Sequence, residues 1–164
     1  MIKVTKYSYF CANAYRLMEI LELLLDKVKL ENCLNLTKVL IENSEEILNV
    51  NSTIYPNLSK ENYKNFRFDE TQNGYIYFQF KNSQIFDLKF EFFELYILIY
   101  NDENELTLSF DFSEVNKIPL QNFIDFCKKM ANALNTKFYY CGLEPARDAS
   151  TQFFTYNGIG KIKW

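Results

Sequence analysis

Ile85-Phe-Asp-Leu-Lys-Phe90-Glu-Phe-Phe-Glu-Leu95-Tyr-Ile-Leu-Ile-Tyr100 alternates at period two and changes phase in its middle. Phe86, Leu88, Phe90 and Phe92 fall on one side, with Ile85, Asp87, Lys89 and Glu91 on the other. From Phe93 onward, Leu95, Ile97 and Ile99 alternate with Glu94, Tyr96, Leu98 and Tyr100. Period two is the signature of a half-buried strand. No Gly or Pro marks a turn at the phase change, so a bend or bulge in one long strand is expected there, because one extra residue inverts the faces.

The neighbouring sequence extends the pattern. Asn101-Asp-Glu-Asn104 reads as a turn, and Leu106, Leu108, Phe110 and Phe112 then alternate with Thr107, Ser109 and Asp111. Upstream, Asn65–Glu70 and Tyr75–Phe80 flank Asn73-Gly74, the chemistry of a tight hairpin, and Lys81–Gln84 reads as the following turn. Downstream, Lys137–Cys141 reads as a strand, and Thr151–Tyr156 and Gly160–Trp164 flank Asn157-Gly158 as a second hairpin.

Three helices are predicted around these strands, after a short strand over residues 2–7. The first follows an N-cap at Ser8, with Phe10, Ala14, Leu17, Met18, Leu21, Leu24, Leu25 and Val28 at helical spacing. The second runs from Asn35 to Asn49 on Leu36, Val39, Leu40 and Ile47. The third starts at Pro119 and carries Leu120, Phe123, Ile124, Cys127, Met130, Ala131 and Leu134, with Asn135 to end it. Residues 50–64 are polar and read as a loop. Strands do not alternate regularly with helices, which argues against a parallel Rossmann-type sheet. The expected fold is α+β. An antiparallel meander plus a C-terminal hairpin forms the sheet, about three helices pack mainly on one face, and residues 1–164 make a single domain.

Composition narrows the function. The chain has 164 residues and no His, which removes the commonest general base, the His-dependent nucleophile pairs and most zinc sites. Cys11, Cys33, Cys127 and Cys141 show no CxxC spacing and read as reduced, buried thiols. The four Gly residues write neither GxxxxGK[ST] nor GxGxxG. No metal, cofactor or catalytic residue is expected, and the chain reads as a non-enzyme. No signal segment is seen at the N-terminus and no apolar run approaches the ~20 residues of a membrane span, so a cytoplasmic protein without membrane contact is expected.

Charge is asymmetric. Between Ile85 and Val115, Asp87, Glu91, Glu94, Asp102, Glu103, Glu105, Asp111 and Glu114 face only Lys89, a net of −7 in a chain of net −3. Such a segment suits a basic partner surface and disfavours phosphate backbones. Lys60, Tyr63, Lys64, Phe66 and Arg67 interleave basic and aromatic residues, but 18 basic against 21 acidic side chains is no nucleic-acid footprint. Aromatic residues reach 18%. Tyr96 and Tyr100 beside the acids suit a protein interface, since Tyr combines apolar area with a polar tip. Glu144, Arg147 and Asp148 cluster in a loop between strands and join the candidate contacts.

The stretch Tyr140-Cys-Gly-Leu-Glu-Pro-Ala-Arg-Asp-Ala-Ser150-Thr-Gln-Phe-Phe-Thr155 resembles the GLEPA-x-D-x-x-T ending of small bacterial α+β proteins found among the immunity proteins of polymorphic-toxin systems. The resemblance covers about a tenth of the chain. It implies a cytoplasmic protein that neutralises a toxin by occluding its active surface; a monomer or weak homodimer is expected. Two other readings stay open at this point. One is a small-molecule or nucleotide-binding module built on Glu144, Arg147 and Asp148; the other is a phage-encoded anti-defence protein.

Overall fold

The computed structural model describes residues 19–65, 73–101 and 103–164. Its elements run β1 (Ile20–Val28), α1 (Leu30–Glu42), β2 (Ser44–Ser52), a 3-10 turn (Tyr63–Asn65), β3 (Gly74–Ile85), β4 (Leu88–Tyr100) and β5 (Glu103–Asp111). One-turn α2 (Phe112–Val115), α3 (Leu120–Ala133), β6 (Tyr139–Leu143), β7 (Gln152–Thr155) and β8 (Gly158–Ile159) follow. The strands form one antiparallel sheet of order β2-β3-β4-β5-β1-β6-β7-β8. With three helices among the described residues, the fold is α+β, as the period-two stretch predicts.

The phase change is real and belongs to two strands at once. Phe80 pairs with Phe93, Lys81 with Phe92 and Ser83 with Phe90, so the β3–β4 register holds straight through. On β3 the buried residues step from Phe80 to Ser83 and Ile85, and on β4 from Phe93 to Phe90. Asn82 sits between them at φ +48°, a left-handed conformation that Asn tolerates better than most side chains. The two strands bend together, so the pair changes face without losing its partners.

The core face carries Leu21, Leu23 and Leu25 of β1, Ile76, Phe78 and Phe80 of β3, Phe93, Leu95 and Ile97 of β4, and Leu106, Leu108 and Phe110 of β5. Onto these α3 lays Phe126, 5.3 Å from Phe90, and Phe123, 6.1 Å from Phe110 (ring centroids). Cys33, Leu36 and Leu40 of α1 join the same cluster. Trp164 stacks on Phe123 at 5.1 Å and donates its indole N–H to the Ile118 carbonyl (3.2 Å).

Several sequence expectations are corrected. Residues 20–28 are strand, not the end of a helix; the expected elements over residues 2–18 lie outside the described residues. β1 lies mid-sheet and is buried on both sides, with Leu24 of the second face as hidden as its neighbours. A strand of that kind is apolar at nearly every position, so its leucines also satisfy helical spacing. The second helix is α1, which starts at Leu30 behind Lys29 and ends before Asn43. Ile47 belongs to β2, and Asn35 is an exposed mid-helix residue rather than a cap. Lys81–Gln84 is strand; the chain turns at Phe86-Asp87, with Phe86 at φ +52°. The closing hairpin turns at Tyr156-Asn157 and its second strand is only Gly158–Ile159. The strand expected over 65–70 falls largely outside the described residues, and β3 has β2 and β4 on its two edges from Ile76 to Ser83. The third helix, its Pro119 start and the Asn135 position at φ +53° just past its end agree with expectation.

Candidate partner-binding face

Antiparallel partners directly opposite each other share a sheet face. On the face opposite the core side chains, that rule assembles rows across the sheet. Gln79, Glu94, Ser109, Glu22 and Gly142 form one row over β3-β4-β5-β1-β6. Tyr77, Tyr96, Thr107, Leu24 and Tyr140 form the next, and Tyr75, Leu98, Glu105 and Asp26 the third. Tyr100 and Glu103 pair at the β4–β5 turn beyond them.

Burial grades along these rows. Glu94 is 2% exposed and Glu22 3%. The Tyr77 hydroxyl donates to Glu94 Oε1 (2.9 Å), and Gln79 Nε2 reaches the same oxygen at 3.3 Å. Tyr77 and Tyr96 lie 4.6 Å apart between ring centroids. Burial, then the Glu94 carboxylate, pushes both phenols well above the ordinary tyrosine range. Toward the β4–β5 turn the face opens: Leu98 is 44% exposed and Tyr100 59%.

The loop after β6 folds back across this face. Gly142 permits the entry, since a Cβ there would stand 2.5 Å from the Thr151 carbonyl oxygen. Buried Ala146 donates its N–H to Glu22 Oε2 (3.0 Å) and accepts from Gln152 Nε2 (2.9 Å). Arg147 Nη2 lies 2.6 Å from Glu105 Oε2 and 3.3 Å from Asp26 Oδ1, tying the loop to β5 and β1. Asp148 Oδ1 accepts from the N–H and hydroxyl of Ser150 (2.8 and 2.7 Å). Thr151 Oγ1 sits 2.8 Å from the Pro145 carbonyl oxygen. The motif read from Gly142 to Thr151 is thus a self-laced strap.

The acids singled out in the sequence separate into groups. Glu94, Tyr96, Tyr100, Glu103 and Glu105 share the second face, and Arg147 lies on it. Asp87 pairs with Lys129 at the β3–β4 turn. Glu114 Oε1 accepts the Glu91 N–H (2.5 Å), and Asp111 caps α2 through the Ser113 N–H (2.8 Å). Glu144 and Asp148 are exposed strap residues, and Asp102 lies outside the described residues. Sequence reasoning missed Glu22 and Asp26 because it placed them on a helix; once β1 is a strand, their even, four-residue separation puts them on one face.

Clefts of about 520, 450 and 280 Å³ surround the β3–β4 turn, lined among others by Ser83, Phe86, Lys89, Glu114 and Phe126. None of the three reaches the strap, so they give no support to a pocket built on Glu144, Arg147 and Asp148. Among the described residues no three Cys, Asp or Glu side chains gather as a metal set, and no helix is long and apolar enough to cross a membrane.

The face thus grades from buried carboxylates to exposed Leu98 and Tyr100 beside Glu103 and Glu105. The chain belongs to the Cdi1I immunity protein family: the family model described as PABL017 Cdi1I immunity protein matches residues 19–159. The likeness to polymorphic-toxin immunity proteins, read from the strap alone, therefore holds over most of the chain. A search of curated proteins finds none that matches. Among solved structures, the fold is similar to a chain in the 1.75 Å crystal structure of the toxic C-terminal tip of CdiA from Pseudomonas aeruginosa in complex with immune protein. The TM-score is 0.67 at 23% identity, over 88% of this chain and 98% of that one.

Proposed function

We propose that this immunity protein neutralises its toxin without chemistry of its own, by seating the toxin's active surface against the second face of the sheet at the β4–β5 end. The observation that carries the reading is the joint presence there of exposed Leu98 and Tyr100 with Glu103 and Glu105. Apolar and aromatic side chains ringed by charge are what a protein interface uses: the former for affinity, the latter for steering. Tyr96, Tyr100, Glu103, Glu105 and Arg147 are the proposed contacts, and the opposing toxin surface is basic. The helices pack on the far side of the sheet, which leaves this face to the partner. The protein works as a monomer or weak homodimer and as one domain in the cytoplasm; the matched span and a single sheet running from Ile20 to Ile159 support the domain reading.

The test is affinity for a cognate toxin tip purified with an inactivating substitution. Tyr100→Ala is expected to weaken binding by about 30-fold, the scale of an aromatic hot spot. Glu103→Lys is expected to slow association and reduce its salt dependence. Wild-type affinity in both variants refutes the docking face.

A further inference from the structure

The second face also carries cations. β1 has a bulge between Asp26 and Val28, where Lys27 takes φ +54° and donates its N–H to Asp26 Oδ1 (2.8 Å). Bulges re-aim side chains, and this one sets the Lys27 ammonium 4.7 Å from the centre of the Phe138 ring. Lys137 reaches the same ring at 5.1 Å. The two ammonium groups are therefore held within about 10 Å of each other, and neither has a carboxylate within ion-pair distance among the described residues. Tyr156 stands edge-on to Phe138 (5.2 Å) and to Tyr140 (5.8 Å).

We infer that the toxin surface seated here is two-signed: beside its basic area it carries an acidic side chain that docks between Lys27 and Lys137 over Phe138. This rests on the docking face proposed above. The argument is charge complementarity. Glu103 and Glu105 lie on β5, whereas Lys27 and Lys137 border the β1–β6 side. Lys27 lies on β1, one strand spacing of about 5 Å from β5, but its ammonium is held at Phe138 beside β6, two spacings or about 10 Å from β5. That is close to the ~8 Å screening length at physiological salt, so a partner meets two signs rather than their average. A continuous phosphate backbone suits this face less well than one acidic side chain, because its further charges would fall on Asp26, Glu103 and Glu105.

The experiment compares four full-length proteins against the inactivated toxin tip: wild type, Lys27→Glu/Lys137→Glu, Lys27→Gln/Lys137→Gln, and Glu103→Lys. Thermal unfolding checks that each is folded. The inference predicts at least a tenfold loss for the double reversal and a smaller loss for the neutral pair. Unchanged or tighter binding by the reversal, with Glu103→Lys still impaired, overturns the inference and leaves the docking face standing. Unchanged binding in all variants refutes the face and the inference together. A labelled single-stranded RNA that binds wild type and is released by the reversal assigns the cluster to nucleic acid and overturns the inference as well.

Discussion

Tyr77 and Tyr96 show how one buried carboxylate governs its neighbours. Their phenols are raised by burial and by Glu94, so the folded state keeps protons that the unfolded chain gives up at about pH 10. For an acid raised on folding, the stability is whole below the unfolded pKa and is lost as pH rises through the folded value. An ultraviolet titration is expected to show these two phenolates only as the circular dichroism collapses, and Tyr77→Phe should flatten the alkaline loss of stability. Separate early titration of both phenols contradicts this. Thiols obey the same physics: burial pushes Cys33 up to about 12 and holds Cys127, beside Cys141, well above its ordinary value. Alkylation mapped by peptide is expected to leave Cys33, Cys127 and Cys141 unlabelled until the protein unfolds. In the core, Leu108→Ala is expected to cost about 2 to 5 kcal/mol in chemical denaturation, because a fully buried side chain leaves a cavity in a central strand.

At the scale of elements, the strap is where geometry is least forgiving. Gly142→Ala drives a Cβ into the Thr151 carbonyl, and backbone cannot move aside as a flexible side chain would. The expected cost is about 1 to 3 kcal/mol, read from the unfolding midpoint; a neutral result shows that β6 and β7 can shift apart. Element by element, legibility in the sequence followed how polar the second face of an element is. α3 shows one apolar side, and β4 and β5 keep Glu94, Thr107 and Ser109 on the second face even where it is buried, so their spacing alone placed them. β1 puts Leu24 on that face between Glu22 and Asp26, and the resulting apolar run Leu23–Leu25 satisfied helical spacing and read as helix. The Phe86-Asp87 turn was missed because it lacks Gly, Asn or Pro, while Asn82, a turn residue by type, serves a bend inside β3. The carboxylate rows became visible only with the β1 pairing, because Glu22 and Asp26 gain their neighbours Ser109 and Glu105 from about eighty residues away in sequence.

On the scale of the whole molecule, the proposed binding reads as a surface property distinct from stability. Glu103→Lys and the lysine reversals should leave the unfolding midpoint nearly unchanged, since exposed charges contribute little to folding, while changing association with the toxin and its salt slope. A midpoint that falls in step with affinity would instead mark these side chains as structural. The sheet order carries another consequence. β1 leaves the ribosome early, yet its two neighbours are β5 and β6, whose residues begin at Glu103 and Tyr139. At synthesis rates of about 5 to 20 residues per second, the leucines of residues 21–25 wait roughly 4 to 15 seconds for β5. During that interval a nascent chain displays an unpaired, double-sided apolar strand, a natural client for a chaperone. The core of the antidote therefore closes only near the end of synthesis, once the residues of β6 have emerged beside β1.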